Sequence, residues 1–538
     1  ALERYPVDGV FFNMIGYVTS DYDHVYHGIC QCQNCQRRFE KMYGLPLPVF
    51  EDAKDPVFVQ YEAFKRVTSR ELFHRIRDLV KSKNPNIAIC TYTHEGIDIY
   101  RNESNSGIKR PQPEWIYSAS ENVKLALGSW KDMGIANAAV HFIDFPFRHA
   151  AVSPSLTYRR LAQNLASGGG MDYYVIGHLD NQDDRACFAG VKKFFAFHQE
   201  NEEHYSGLTS IADVAIIFPT QNFSYGSIDE FRGIFKMLSE AHVLFDVLHD
   251  SVLDTAALER LNAYQAIILP DMRLMSDQAK NSIDSYVHNG GKILATGFTA
   301  AYSSKGQLLE TVDLKCAGIN QIQDFIAYAQ GMYLRIRPED KQTLGGFEDV
   351  DIVHLNGDLL ACELDHTATP YLGYIPAQMF GPPEKCYYTE ETNIPGVITN
   401  RYGQGIYIFV PWQIGAQYYQ FSTHVQPLLL QAALGDLMNL DTRLSINAPA
   451  LVEIQIHRQE TTENLIVNLV NLSGQSGAAS LTPIDIRDID IRIQCPITPK
   501  NVRCLWSQHD LDFIHMDGTL QFTIPQLSLL ESIVIQMS

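Results

Sequence analysis

Val7-Asp8-Gly9-Val10-Phe11-Phe12-Asn13-Met14 is a short apolar run that ends in a polar residue, and Asp21, Asp23 and the cluster Cys30-Gln31-Cys32-Gln33-Asn34-Cys35 follow it at once. β-Branched and aromatic residues in an uninterrupted run of this length fit a parallel strand buried on both faces by helices. Asn13 then sits where the strand gives way to a loop. In sheets of parallel strands that loop, at the carboxyl end, is where the chemistry is carried.

Working outward, short apolar runs alternate with longer amphipathic stretches up to about residue 205, the pattern of βαβ units. Strands are expected at 8–13, 87–92 (Ile87-Ala-Ile-Cys-Thr-Tyr92), 114–118, 138–143 (Ala138-Ala-Val-His-Phe-Ile143) and 172–176 (Asp172-Tyr-Tyr-Val-Ile176). Helices are expected over 58–82, from the spacing of Tyr61, Phe64, Val67, Leu72 and Ile76, and over 155–167 before Gly168-Gly-Gly170. A closed (β/α)8 barrel has eight strands and typically about 250 residues. Residues 1–205 therefore read as the later part of a TIM-type barrel, with its first three strands expected upstream of Ala1.

A second α/β unit, over 206–442, opens with Asp213-Val-Ala-Ile-Ile-Phe-Pro219. It continues through a helix at 228–241, strands at 243–248 and 266–270, a helix at 275–288 and a strand at 292–296 after Asn289-Gly-Gly291. This is a flavodoxin-like, doubly wound pattern. Thr220-Gln-Asn-Phe-Ser-Tyr-Gly226 carries one glycine where a phosphate-binding turn would need several, which argues against a nucleotide. A strand near 403–411 and a helix at 424–439 close the unit. From 443 to 538 the period drops to two, as in Leu451-Val-Glu-Ile-Gln-Ile-His457 and Leu465-Ile-Val-Asn-Leu-Val470, and a small β-sandwich is expected.

With 538 residues and 46% hydrophobic content the chain is long enough for two to four domains. A formal net charge of −20 argues against a nucleic-acid backbone or an anionic membrane as partner and favours a neutral ligand. No run of 18 apolar residues is present, and Ala1-Leu-Glu-Arg-Tyr-Pro6 lacks the basic flank and apolar core of a signal peptide. Ten cysteines, three of them within six positions, do not form a disulfide framework and leave a metal site or plain thiols. A reducing, cytoplasmic compartment is expected.

The order barrel, flavodoxin-like unit, β-sandwich resembles glycoside hydrolase family 42 and related barrel hydrolases with a β-galactosidase trimerisation domain. Phe12-Asn13 at a strand end, Cys30-x-Cys32-x-x-Cys35 leading into Phe39, and Tyr402-Gly-Gln-Gly405 carry the local part of the resemblance. The resemblance implies a glycosidase acting on a terminal sugar, a structural zinc at the cysteines, no cofactor for catalysis, and a homo-oligomer, dimer or trimer. In that family the fourth barrel strand ends in Asn-Glu, the Glu being the general acid/base. Here Asn13 is followed by Met14, which cannot carry a proton.

Glycoside cleavage takes two carboxyl groups across the scissile bond, so carboxylates just past strand ends are the catalytic candidates. Asp144, in His141-Phe-Ile-Asp-Phe-Pro-Phe-Arg148, stands where the resembled family keeps its nucleophile, with Arg148 placed to hold it ionised; the alternative is an Arg-paired loop anchor. Glu121 follows the expected strand 114–118, although Ser120-Glu121-Asn122 also reads as a helix start. Glu95, after 87–92, is the third; Asp21 and Asp23 read as solvated loop carboxylates.

For the substrate, Asn13 could hold a hydroxyl or simply cap its loop. Tyr17 and Trp130, with Tyr22, Tyr26, Trp115 and Phe147, supply aromatic faces for a sugar or for the core. His94, Arg148 and His178 add polar contacts. Cys30, Cys32 and Cys35 would bind Zn²⁺ as thiolates in a closed, structural site. Two other readings stay open: a barrel-type exo-sialidase using an Asp and a His (His94, His141 or His149), and an inert sugar-binding or scaffold protein, which Met14 favours.

Overall fold

The computed structural model describes residues 2–13, 15–21, 25–110, 114–222, 228–255, 257–327, 331–377, 381–388 and 390–537. Its first layer is a five-stranded, all-parallel sheet in sequence order: β1 (Gly9–Phe11), β2 (Ala88–Thr91), β3 (Ile99–Ser104), β4 (Gly134–Val140) and β5 (Gly170–Tyr174). Helices α1 (Gln33–Tyr43) and α2 (Phe58–Lys83) precede β2, α3 (Ser118–Ser129) joins β3 to β4, α4 (Pro154–Ala166) joins β4 to β5, and α5 (Phe188–Glu200) follows. The arrangement is that of part of a βα-barrel; these five strands do not close one.

Four of the five expected strands are present, and the one at 114–118 is corrected. Trp115-Ile116-Tyr117 looks like a strand because it is apolar, but it leads into α3 and packs on Phe235, with ring centroids at 5.8 Å from Trp115 and 5.4 Å from Tyr117. The true third strand, Ile99-Tyr-Arg-Asn-Glu-Ser104, is half charged or polar on one face and carries no such signature.

Strand alternation explains why. Tyr100, Asn102 and Ser104 of β3 and Asn137 and Ala139 of β4 face the helices. There an amide ladder ties sheet to helix: Asn102 donates to Asn122 (3.0 Å), Asn122 to Asn137 (2.9 Å) and Asn137 to Asn164 (2.8 Å). The register Arg101↔Ala136↔Gly170 and Glu103↔Ala138↔Asp172 puts the opposite residues together on the inner face. Helix α4 starts sharply because Ser153 caps it through the Leu156 N–H and Pro154 follows, and it stops before Gly168, whose φ of 86° suits glycine.

The middle unit is built on five parallel strands, β7 (Val214–Phe218), β8 (Phe245–His249), β9 (Ala266–Pro270), β10 (Lys292–Thr296) and β11 (Gly405–Val410), in the spatial order β8-β7-β9-β10-β11. This is the flavodoxin order 2-1-3-4-5. Antiparallel strands widen it to nine. Sheets of four and six strands, antiparallel throughout, form the C-terminal layer. One strand departs from the expected division: β6 (Leu208–Ser210), placed by sequence with the middle unit, pairs with β12 (Val452–Gln459) of the C-terminal sheet.

The units are packed on one another rather than strung out. A single apolar core runs from α3–α5 through α6 (Asp229–Glu240) to β13 (Leu465–Asn471). Helix α3 lies so close to β8 that a Cβ at Gly128 would fall 2.1 Å from the Val247 carbonyl oxygen, which only glycine permits. Lys124 of α3 is buried there, donating to the Phe245 carbonyl at 2.9 Å. No described helix is long and apolar enough to cross a membrane.

Candidate active site

The inner face of the five-stranded sheet gathers a charged cluster that sequence reading missed. Arg101 on β3 donates through Nη1 to Glu103 Oε1 at 2.6 Å and through Nε to Asp172 Oδ2 of β5 at 2.7 Å. Tyr92, just past β2, donates its hydroxyl to the same Glu103 Oε1 at 2.5 Å and accepts from Arg101 at 3.0 Å. The three charged side chains are only 13–28% exposed. The guanidinium lies over the rings of Phe11 (5.3 Å), Tyr92 (6.0 Å) and Tyr174 (5.5 Å).

Burial works against the Arg101 charge, but Asp172 and Glu103 outweigh it and hold the guanidinium above its usual range. Burial, then the Glu103 carboxylate, keeps the Tyr92 phenol protonated well past its ordinary pKa. The cluster is therefore two carboxylates, a fixed cation and a phenol donor, walled by aromatic rings. Phe11 is 47% exposed on this face, an apolar plate beside charged groups. A sugar ring, apolar on its C–H faces and polar at its hydroxyls, matches such a surface.

The expected rim residues are scattered. Asp144, half-buried past the end of β4, accepts from the Phe145 N–H (2.8 Å) and the Ile108 N–H (2.9 Å), so it caps one turn and ties down the loop after β3. The Arg148 pair expected for it is not formed: Arg148 donates to the Phe145 carbonyl and lies over the Phe145 ring. Asp144 stands six residues beyond Ala138, the register partner of Glu103. It lies past the end of β4, within the turn that Phe142 and Ala151 close with an antiparallel bridge.

Glu121 is corrected as a strand-end residue. It lies in the first turn of α3, buried, and pairs with Arg232 of α6 at 3.2 Å. Glu95 pairs with Arg70 of α2 and lies 3.6 Å from His74. His94 and Trp130, expected to meet a sugar, stack on each other instead (4.5 Å, 3°), with His249 of the middle unit 5.1 Å from His94. Burial is the main reason that His94 and His249 are both lowered to about 4.

Tyr17 accepts from Thr68 at 2.9 Å and packs on Phe64, and burial raises its phenol. Asn13 and His178 are exposed, with the His178 N–H bound to Asn181 Oδ1 at 3.0 Å. Asp21 is spoken for as well, lying 2.7 Å from His27. Met14, Tyr22 and Asp23 fall outside the described residues. Of the histidines weighed for a sialidase, His141 is buried against Tyr173 at 2.5 Å on the helix-facing side, and His149 is exposed beside Asp183.

The Sγ atoms of Cys30, Cys32 and Cys35 lie within 4.8 Å of one another at the start of α1. Sulfurs about 2.3 Å from a tetrahedral zinc would be roughly 3.8 Å apart, so the cluster fits three zinc thiolates. Hydrogen bonds from the Cys35 backbone and thiol lower the Cys32 thiol to about 7, while burial and its neighbours push Cys35 up to about 12.

No protein-family model and no curated protein sequence matches the chain. Solved structures do. The chain is similar over its whole length to α-L-fucosidase isoenzyme 2 from Paenibacillus thiaminolyticus, with a TM-score of 0.74, 19% identity and 78% of that chain covered. A β-galactosidase from Bacillus circulans sp. alkalophilus aligns with 95% of this chain and 78% of its own, at a TM-score of 0.68 and 15% identity. Gan42B, a GH42 β-galactosidase from G. stearothermophilus, aligns at 0.66 and 14%, over 95% of this chain and 77% of that one. The fold is thus one used by glycoside hydrolases.

Proposed function

We propose that the chain is a glycoside hydrolase that releases a terminal sugar, with its substrate bound on the inner face of the five-stranded sheet. The observation that carries this reading is the placement of Glu103 and Asp172 two strands apart on that face, bridged by Arg101 and bordered by Phe11, Tyr92 and Tyr174. Arg101 joins the two, so that Asp172 holds Arg101 and Arg101 holds Glu103 in place on the inner face. Similarity to β-galactosidases and an α-L-fucosidase supports the reaction class. Asp144 stays in the proposal as a rim carboxylate, closing the far end of the site.

A panel of aryl glycosides, with α-L-fucoside, β-D-galactoside and α-sialoside included, tests it. Hydrolysis of one pyranoside well above the others is expected. Binding of a sugar without hydrolysis of any would favour the inert sugar-binding reading that Met14 suggests. The proposal extends to a structural zinc at Cys30, Cys32 and Cys35 and to self-association through the middle unit, which sedimentation velocity would detect as a dimer or trimer.

A further inference from the structure

We propose that Glu103 is the nucleophile of this glycosidase, with Arg101, Asp172 and Tyr92 positioning it; this rests on the glycosidase reading above. Both donors that reach Glu103 converge on one oxygen, Oε1: the Tyr92 hydroxyl at 2.5 Å and Arg101 Nη1 at 2.6 Å. Among the described residues nothing donates to Oε2. A carboxylate held by one oxygen while the other keeps its lone pairs toward the inner face is what attack on an anomeric carbon needs.

The main chain of Glu103 is fixed just as firmly. Its N–H is bound by Asn102 Oδ1 at 2.9 Å and its carbonyl by Asn122 Nδ2 at 3.2 Å, so the amide ladder between sheet and helices anchors the residue from behind. Arg101 cannot swing away, because Asp172 holds its Nε and aromatic rings cover its faces. A nucleophile mounted on a strand and locked by a supporting layer of this kind has the rigidity that catalytic geometry demands. Beside Glu103 in register stands Ala138, and beside Arg101 stands Ala136, so β4 puts no bulk between Glu103 and Asp172.

In the reaction, Glu103 Oε2 forms a bond to the anomeric carbon as the bond from that carbon to the aglycone oxygen breaks. The electron pair leaves with the aglycone, which takes a proton from a carboxylic acid or from water. Water then attacks the same carbon, the ester bond to Glu103 breaks with its electron pair returning to the carboxylate, and the water proton passes to solvent or to the carboxylate left by that acid. A 2,4-dinitrophenyl aglycone departs as phenolate and needs no proton.

The test uses the full chain and the 2,4-dinitrophenyl 2-deoxy-2-fluoro glycoside of whichever sugar the panel identifies. A burst of about one dinitrophenolate per chain and a mass-mapped adduct on the peptide holding Glu103 are expected. Glu103→Gln should lower turnover at least about a thousandfold, and Glu103→Ala with azide should yield a glycosyl azide of inverted configuration. An adduct on Asp144 or any other residue, net inversion by the unaltered chain, or undiminished turnover in Glu103→Gln overturns the assignment and leaves the glycosidase reading standing. Absence of turnover on every glycoside overturns both. If Glu103→Gln does not fold, the site of the adduct in the unaltered chain decides.

Discussion

Glu121 and Arg232 meet where α3 of the first sheet faces α6 of the middle unit, with side chains 7% and 25% exposed. Burial works against the Arg232 charge, and Glu121 outweighs it. Arg232 also lies over Trp115 at 5.2 Å, so removing the carboxylate strands a cation against an aromatic wall. Glu121→Gln is therefore expected to lower unfolding free energy by roughly 3 kcal/mol, near the low end for breaking a buried pair. Turnover of the folded fraction should stay within a few fold. Urea melts and steady-state kinetics on the same preparation separate the two effects, and an inactive variant of normal stability would return Glu121 to the catalytic list. Residues of this kind expose the limit of reading a strand end from sequence. The place of Asp144 past a strand end was legible because an apolar run and Pro146 bracket it; that of Glu103 was not, because Asn102-Glu103-Ser104 reads as a loop until one knows that alternate residues of β3 face opposite sides of the sheet.

Elements were legible where their burial is two-sided and illegible where it is not. β9 and β10 in the middle unit fall on their expected residues, because a central parallel strand is apolar throughout. β3 escaped because its inner face carries Arg101 and Glu103, and the apolar Trp115-Ile116-Tyr117 took its place in the reading although it belongs to a junction between units. At α1 the cysteine spacing was legible, and the structure gathers its three sulfurs where that spacing implies. About one zinc per chain is expected by elemental analysis of protein purified without chelator, and Cys32→Ser or Cys35→Ser should abolish it. Chelation should lower the melting temperature, because Phe39 of α1 is wholly buried against Phe64 of α2 and the metal would pin that helix start. Zinc-free protein whose melting is indifferent to added zinc would leave the three cysteines as plain thiols.

At the scale of the whole molecule, the contact between the first sheet and the middle unit is sealed partly by two histidines that burial keeps neutral. His94 stacks on Trp130, and His249 stands at the end of β8, 5.1 Å from His94; both are lowered to about 4. Glu95 and Asp250 nearby favour the protonated rings, Arg70 opposes protonation of His94, and desolvation dominates the sum. In the unfolded chain each ring takes up its proton near 6.5. Between pH 6.5 and 4 the unfolded chain therefore binds more protons than the folded one, so stability falls as pH falls through that window; above 6.5 both states are neutral here and these rings add no slope. Each ring can remove up to roughly 1.4 kcal/mol per pH unit, less where the first proton taken up repels the second. His94→Phe keeps a ring against Trp130 and removes one proton site. From pH 7.5 to pH 5 the unaltered chain is expected to lose about 1–2 kcal/mol more than His94→Phe in urea melts. Equal losses in the two proteins would place the acid sensitivity elsewhere, in the other buried histidines such as His457 beneath Gly168.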